Sequence, residues 1–224
     1  MPGGDAAPSG GLAHVDLAAA SVFLDFDGTI TTGDVGVHLL ERFGADGWRA
    51  IDAEYDAGEI GSRVCLLEEW DLLPHDREQL RAVAAEVPLD PDLDGLVGDL
   101  LAAGAEVTVV SDGFGFYATE RCAHLGVPVM TNAVDWELGR LEFPHEDRCC
   151  ACSSCGTCKQ APIREAARRG RATVMVGDGT SDRRAALLAD VVFAKGALAR
   201  WCAANAVPFH RFETLGEVRA ALRR

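Results

Sequence analysis

The segment SVFLDFDGT, Ser21–Thr29, joins an apolar run to two acidic residues. Val22, Phe23 and Leu24 are uninterrupted by polar residues, which is typical of a strand covered on both faces of a parallel sheet. Asp25 follows at once, and a second aspartate comes two positions later, just before a glycine. We therefore predict a core strand that ends in a turn and carries carboxylates at the edge of the sheet.

Similar apolar runs recur along the chain, with helical patterns between them. The candidate strands are EVTVVSD, VPVMT, ATVMVGD and VVFA, and the candidate helices are FYATERCAHLG, APIREAARRG and SDRRAALLAD. This alternation favours a parallel sheet with helices on both faces, so we expect a three-layer α/β fold. The segment AVDWELGRLEF is typical of a hairpin that turns at Gly139.

One connection is too long for a simple crossover. The serine of the second candidate strand lies 86 positions after Asp25, whereas a crossover needs little more than a dozen residues. Apolar residues recur at helical spacing in this interval. We expect a small helical domain at residues 33–87, inserted into a core of residues 21–32 and 88–224, with a flexible tail at residues 1–20.

The charge of the chain restricts its partners. The 224 residues carry a formal charge of −14, and between Asp34 and Asp94 there are 16 acidic and 5 basic residues. Such a segment repels phosphate backbones, so we expect no nucleic-acid partner. No apolar run approaches the ~20 residues of a membrane helix, and the start of the sequence lacks signal-peptide features. We expect a cytoplasmic protein with no membrane partner; the sequence does not define an oligomeric state.

Polar residues follow three of the predicted strands at the point where each strand ends. These residues are Asp25, Ser111 and Asp178. The carboxyl ends of parallel strands meet at one edge of a sheet, where ligands bind. Clustered carboxylates need a cation, and an oxygen-only site completed by substrate phosphate suits Mg²⁺. Lys159, at the head of a predicted helix, supplies a positive charge for a phosphoryl group.

The motifs DFDGT, VVSDGF and VGDGTSD, with a lone lysine between the last two, occur in the order found in the haloacid dehalogenase superfamily. The chain resembles this superfamily from Ser21 to about Ala194. The resemblance implies a Rossmann-like core and a helical cap of the phosphoserine-phosphatase kind (subclass IB, C1 type). It also implies catalysis through an aspartyl phosphate.

The resemblance assigns roles to residues of this chain. It implies that Asp25 is the nucleophile and that Asp27 is the general acid and then the base. It implies that the carboxylates of Asp25 and Asp178 bind Mg²⁺ together with the backbone carbonyl of Asp27. The residues expected to hold the phosphoryl group are Ser111, Asp112, Gly113 and Lys159, with Asp182 in a supporting position.

The segment FPHEDRCCACSSCGTCKQAPI, Phe143–Ile163, looks like the run before the motif lysine in methionine-salvage phosphatases. Those enzymes act on 2-hydroxy-3-keto-5-methylthiopentenyl-1-phosphate. A run that ends in Cys-Lys is also similar to that of phosphoethanolamine and phosphocholine phosphatases, whereas the core motifs resemble phosphoserine phosphatases. In the predicted cap, Asp34 stands where phosphoserine phosphatases carry an acidic residue that faces substrate. Arg63 is a looser counterpart of their cap arginine.

Four cysteines, Cys149, Cys152, Cys155 and Cys158, repeat at three-residue spacing in this run. Three interpretations remain open: a structural Zn²⁺ site, a local disulfide, or packed thiols that shape the loop before the motif lysine. The usual zinc pattern separates two cysteine pairs by a longer loop, which this sequence lacks. Cys65 lies in a helical pattern, and we expect it to be a buried core residue.

The sequence thus predicts a Mg²⁺-dependent phosphomonoesterase that hydrolyses a small phosphorylated metabolite through an aspartyl phosphate. The methionine-salvage ester, phosphoserine, phosphocholine and phosphoethanolamine all remain candidate substrates. Two rival functions also remain: a phosphomutase that transfers the phosphoryl group without net hydrolysis, and a non-catalytic binding protein that keeps the fold.

Overall fold

The computed structural model describes residues 15–45, 47–146 and 154–223. The strands that these residues form are β1 (Ala20–Leu24), β2 (Glu106–Val110), β3 (Val129–Met130), β4 (Ala133–Asp135), β5 (Arg140–Glu142), β6 (Ala172–Gly177), β7 (Val191–Ala194) and β8 (His210–Arg211). Six of them build one sheet in the order β3-β2-β1-β6-β7-β8, and every neighbouring pair in it is parallel. The parallel sheet predicted from the sequence is confirmed.

Helices cover both faces of this sheet. The helices that the described residues form are α1 (Val35–Phe43), α2 (Trp48–Ala57), α3 (Ser62–Trp70), α4 (Arg77–Ala84), α5 (Leu93–Ala102), α6 (Phe116–Cys122), α7 (Gln160–Arg168), α8 (Arg183–Ala186), α9 (Gly196–Ala204) and α10 (Leu215–Leu222). Successive side chains of a strand point to opposite faces. Val22 and Leu24 of β1 accordingly belong to the same apolar cluster as Leu96 of α5, whereas Phe23 packs with Ile163 of α7. This arrangement gives the three layers expected.

Four helices, α1–α4, occupy the long interval between β1 and α5. The chain leaves the sheet and returns to it at one place, because Thr31 forms an antiparallel bridge with Leu89. Asp90 N–H also donates to Ile30 O at 2.8 Å. The points where the chain leaves the sheet and returns to it adjoin the expected boundaries at residues 33 and 87. The division into core and cap stays a prediction.

The predicted hairpin is confirmed, because β4 and β5 pair antiparallel and Gly139 in their turn has φ +64°. Trp70 of α3 donates its indole N–H to Gly139 O at 2.8 Å, which fixes the hairpin against the helical segment.

At the start of the chain, residues 1–14 of the expected tail lie outside the described residues. Leu17–Ala19 form a short 3₁₀ turn that leads directly into β1. In the described ranges, no helix is both long enough and apolar enough to cross a bilayer.

Candidate active site

The carboxyl ends of β1, β2 and β6 bring three of the predicted site residues to one edge of the sheet. β1 pairs with β2 on one side and with β6 on the other, and Asp25, Ser111 and Asp178 directly follow these strands. The backbone N–H of Asp25 donates to Val176 O, and that of Ser111 donates to Met130 O, both at 2.9 Å. The ladder of the sheet therefore holds the backbone of the first two residues at the edge.

Lys159, at the start of α7, lies against this edge from the side of the sheet that α7 covers. Its Nζ donates to Asp25 Oδ1 at 2.5 Å, to Asp182 Oδ1 at 2.6 Å and to Ser181 Oγ at 2.8 Å. The side chain is only 3% exposed. Burial by itself lowers the pKa of the ammonium, but the carboxylates of Asp182 and Asp25 outweigh it and raise this pKa above its usual value. Lys159 is therefore a permanently charged cation in contact with Asp25.

The carboxylates around Lys159 carry more negative charge than one ammonium balances. Asp25, Asp178 and Asp182 each offer a carboxylate oxygen, and these three oxygens lie within 4.8 Å of one another. Burial first, and then the charge of Asp182, raises the pKa of Asp25 well above its usual value and that of Asp178 to about 6. Such a crowded set of buried carboxylates is stable in the ionised form only with a further cation.

The donor set fits Mg²⁺, which prefers oxygen ligands. Asp182 already accepts hydrogen bonds from Lys159 and, at 3.1 Å, from the backbone N–H groups of Asp178 and Gly179. Asp25 and Asp178 have fewer competing partners and are the carboxylates suited to the ion. Asp182 is better suited to orient Lys159 and the turn after β6.

Asp27 faces a different set of partners. Its Oδ1 accepts from the backbone N–H of Val35 at 3.1 Å, and its Oδ2 accepts from Tyr117 OH at 3.2 Å and from Ser111 Oγ at 3.4 Å. Burial, and next the charge of Asp34, raises the pKa of Asp27 to about 8. Although they are only two positions apart, the two aspartates of the motif thus occupy separate environments.

The turn Phe26–Ile30 produces this separation. Gly28 lies in it with φ +71°, a left-handed conformation that favours glycine. A Cβ atom at Gly28 would lie 2.3 Å from Asp178 Oδ2. Thr29 of the same turn donates its hydroxyl to Asp178 Oδ1 at 3.0 Å. The glycine therefore permits both the reversal of the chain and the close approach of Asp178.

Replacing Gly28 by alanine is expected to destabilise the protein more than the same change at Gly58. Both glycines have positive φ, so each substitution costs about 1 kcal/mol of backbone strain. Gly58 has open space around it, whereas Gly28 abuts Asp178, so Gly28→Ala adds an overpacking cost of about 1–3 kcal/mol. Urea denaturation of both variants measures the difference. Equal losses of unfolding free energy would show that Asp178 does not press on this turn.

A cavity of about 270 Å³ lies between the strand ends and helices α1–α3. The described core residues that line it include Asp25, Asp27, Asp112, Gly113 and Asp178. From the segment of α1–α3, the polar lining residues are Asp34, Asp52, Tyr55, Asp56, Ser62, Cys65 and Glu69. Direct bonds join the two sides; in one of them, Thr180 Oγ1 donates to Asp56 Oδ1 at 2.7 Å.

Asp112 connects three segments around this cavity. Its Oδ2 accepts from Ser62 Oγ of α3 at 2.5 Å, and its Oδ1 accepts from the backbone N–H of Thr157 at 2.7 Å. The side-chain amide of Asn132 donates to Asp112 at 3.4 Å and accepts from the hydroxyl of Thr157 at 3.0 Å. The Asp112 side chain therefore ties the helical segment to the loop before Lys159, a contact that no sequence pattern indicates.

The two residues predicted to bind substrate from the cap are placed differently. Asp34 lines the cavity and also caps α1, because its Oδ1 accepts from the backbone N–H of Val37 at 2.9 Å. Arg63 forms an ion pair with Glu146 and is not among the described residues that line the cavity. The structure thus brings Asp34 to the site and leaves Arg63 outside it.

The cysteine run is described only in part. Cys149 and Cys152 lie outside the described residues, whereas Cys155 is half-buried and Cys158 is 1% exposed. Within the described ranges, the side-chain groups arranged for a metal ion include neither Cys155 nor Cys158. This part of the chain therefore gives no support to a zinc site. Cys65 is buried as expected, but it also lines the cavity.

Several functional candidates were missed in the sequence. Ser181 lies inside the motif VGDGTSD, and Thr29 lies inside DFDGT, so the motifs themselves offered a signal for both. Tyr117, Asp52 and Glu69 carried no such signal, because nothing in their local sequence shows that they face the cavity.

Comparison with known proteins defines the class. The family model of the haloacid dehalogenase-like hydrolases matches residues 22–187, and the chain belongs to this family. A curated relative, the 2-hydroxy-3-keto-5-methylthiopentenyl-1-phosphate phosphatase of Geobacillus kaustophilus, is 29% identical over 210 residues, which cover 91% of this chain and 95% of the relative.

Two solved structures are similar in fold. A phosphoserine phosphatase from T. onnurineus superposes with a TM-score of 0.70 at 18% identity, covering 96% of this chain and 99% of the other. A phospho-aspartyl intermediate analogue of phosphoserine phosphatase gives a TM-score of 0.67 at 19% identity, covering 89% and 96% of the two chains. The predictions of the superfamily, of the α/β fold and of an enzyme of the phosphatase class are confirmed.

Proposed function

We propose that this protein is a Mg²⁺-dependent phosphomonoesterase that hydrolyses a small phosphorylated metabolite through a phosphorylated Asp25. One observation carries the proposal. A buried carboxylate at the end of the central strand contacts the Lys159 ammonium at 2.5 Å and borders both an acidic metal-binding set and a cavity. The similarity to the Geobacillus kaustophilus phosphatase and to the phospho-aspartyl intermediate analogue of phosphoserine phosphatase supports this chemistry.

Asp25, Asp178 and the backbone carbonyl of Asp27 would hold the magnesium ion. When bound, the ion neutralises the crowded carboxylates and the charge of the phosphoryl oxygens. Lys159 adds a fixed positive charge at the same edge, and Asp182 and Ser181 hold its ammonium in position. Together these charges favour an anionic phosphoryl group beside Asp25.

In the first half-reaction, a carboxylate oxygen of Asp25 attacks phosphorus. The new Asp25–phosphorus bond forms as the bond between phosphorus and the ester oxygen breaks. Asp27 gives its proton to the leaving alcohol. The hydrogen bonds of Asp27 to Tyr117 and Val35 hold its carboxyl group on the cavity side of the turn.

In the second half-reaction, water attacks the phosphorus of the phosphorylated Asp25. Asp27 accepts a proton from this water, and inorganic phosphate leaves with the oxygen that the water supplied. Asp25 is regenerated as a carboxylate. We further propose that residues 33–87 act as a cap that excludes bulk water during both steps, as the Thr180–Asp56 bond across the cavity supports.

Removal of divalent metal is expected to abolish activity. With p-nitrophenyl phosphate, EDTA should lower the rate at least about 100-fold, and Mg²⁺ should restore it, because the carboxylates otherwise repel the substrate phosphate. Asp178→Asn should raise the Mg²⁺ concentration needed for half-maximal rate. Full activity in EDTA would refute the proposed metal dependence.

A phosphomutase is the main rival, because its chemistry uses the same two aspartates. Analysis of products from sugar phosphates separates the two functions: inorganic phosphate supports hydrolysis, and a rearranged sugar phosphate supports the rival. A protein that binds phosphate esters but releases no phosphate from any of them would instead be a non-catalytic member of the family.

A further inference from the structure

The half of the cavity that faces α1–α3 is acidic. Of the described residues that line the cavity, eight are acidic and none is basic. Four of the acids lie beyond the proposed phosphoryl site, in the helical segment: Asp34, Asp52, Asp56 and Glu69. These charges do not serve the phosphate, which is itself an anion. Asp34 caps α1 and Asp56 accepts a hydrogen bond from Thr180, so Asp52 and Glu69 are the acids that require another explanation.

Glu69 of α3 is the acid that most needs a partner. Its side chain lines the cavity and is only 7% exposed. Among the described residues, its carboxylate accepts no hydrogen bond from a backbone N–H, a hydroxyl group or a basic side chain, and its one hydrogen-bonding neighbour is the weakly polar thiol of Cys65. A buried carboxylate whose hydrogen-bonding neighbour is a thiol gains little compensation for its lost hydration, so the site favours a cation beside Glu69.

Asp52 of α2 adds a second charge at the same place. A carboxylate oxygen of Asp52, the thiol of Cys65 and a carboxylate oxygen of Glu69 lie within 4.8 Å of one another. Burial, and then the charge of Asp52, raises the pKa of Glu69 to about 8, and a cationic group bound beside the pair would favour the ionised form of both acids. Tyr55, three positions after Asp52 on the same helix, also lines the cavity. Paired acids beside an aromatic ring suit an organic ammonium group.

The same surroundings disfavour a second anionic group on the substrate. A substrate carboxylate needs a basic partner, and none lines the cavity among the described residues. Arg63, the predicted candidate for that role, forms its ion pair with Glu146 instead. The lining therefore favours an ester whose alcohol is cationic over one that also carries a carboxylate.

We propose that the substrate is the phosphate ester of a small amino alcohol, and that Asp52 and Glu69 bind its ammonium group on the side of the cavity that α2 and α3 form. This inference rests on the proposed phosphatase function. It names two specificity residues and excludes an uncharged ester as the preferred substrate. The cavity of about 270 Å³ suits a metabolite of this size.

The test compares esters that differ in the charge of the alcohol. Phosphocholine and 3,3-dimethylbutyl phosphate have the same shape, but only the first carries a positive charge; phosphoethanolamine and phosphoserine complete the set. A charge-assisted contact is worth about 1.5–3 kcal/mol, so kcat/KM for phosphocholine or phosphoethanolamine should exceed that for the neutral ester about 10- to 100-fold.

Glu69→Gln should remove most of this preference, because it keeps the shape and hydrogen-bonding capacity of the side chain but not its charge. Glu68→Gln is the matched control, since Glu68 is the neighbouring residue of α3, has the same formal charge and is exposed. In the control, the ratio of kcat/KM for the cationic ester to kcat/KM for the neutral ester should equal the ratio found in the unchanged protein.

Two results would overturn the inference. One is equal use of the cationic and neutral esters, with p-nitrophenyl phosphate hydrolysed normally; the proposed function would then stand and only the specificity would fail. The other is stoichiometric Zn²⁺ binding, measured by calorimetry, that Glu69→Gln abolishes and Glu68→Gln does not, since the cluster would then be a metal site. If no ester releases phosphate, including p-nitrophenyl phosphate with Mg²⁺, the proposed function fails as well.

Discussion

Asp25→Asn is expected to lower kcat for p-nitrophenyl phosphate by at least about 10⁴-fold, the scale of loss seen when a catalytic nucleophile is removed. The amide is a far weaker nucleophile than the carboxylate and carries no charge to help bind Mg²⁺. The protein should nevertheless stay folded. Burial and the charge of Asp182 disfavour an ionised Asp25 more than Lys159 favours it, and Lys159 keeps Asp182 as a partner, so a neutral side chain at this position is tolerated.

The loss of activity is measured together with thermal unfolding and with intact-mass analysis of acid-quenched reactions. The unchanged protein should show a phosphorylated species during turnover, and Asp25→Asn should show none. Asp71→Asn is the matched control, because Asp71 is exposed at the end of α3. It should keep normal turnover. Near-normal turnover in folded Asp25→Asn would refute the covalent mechanism.

Lys159→Met is expected to damage both stability and catalysis. The ammonium is buried and bonds Asp25, Asp182 and Ser181, so its removal leaves two buried carboxylates without their shared cation. Breaking a buried ion pair from one side costs about 3–5 kcal/mol. Loss of a fixed charge at the phosphoryl group should also lower kcat about 10²- to 10³-fold.

The chain provides a matched control for this substitution, since it contains only two lysines. The other, Lys195, lies over the ring of Phe212 at 5.2 Å, a contact worth about 0.5–1 kcal/mol. Lys195→Met should therefore lose no more than about 1 kcal/mol and keep its activity. Urea denaturation in EDTA, with activity measured in Mg²⁺, gives both quantities. Similar stability losses in the two variants would contradict the central position assigned to Lys159.

The core of the fold was predictable because its strands are local patterns. The apolar runs of β1, β2, β6 and β7 are buried in the structure, and their parallel pairing follows from the helices between them. β8 was not predicted. Its two residues, His210 and Arg211, are polar and form no apolar run, so only their pairing with β7 defines the strand.

The core half of the site was predictable for a related reason. When an acid directly follows a buried parallel strand, the end of the strand fixes the backbone of that acid at the edge of the sheet. Asp25 and Asp178 therefore lie close together although they are far apart in the sequence. Arg63 shows the limit of this reasoning, since its position in a helix did not reveal that Glu146 would be its partner.

Local patterns in the chain were enough to specify the main core strands, the acids at their ends and the family to which the protein belongs. Packing of the folded chain was needed to select which acids of the helical segment face the cavity. In α3, apolar residues lie on both sides: Leu66 and Trp70 are buried, whereas Val64 and Leu67 are exposed. Periodicity therefore does not select the buried face. The packing of Leu66 and Trp70 into the core turns Glu69 inward and leaves its neighbour Glu68 in solvent.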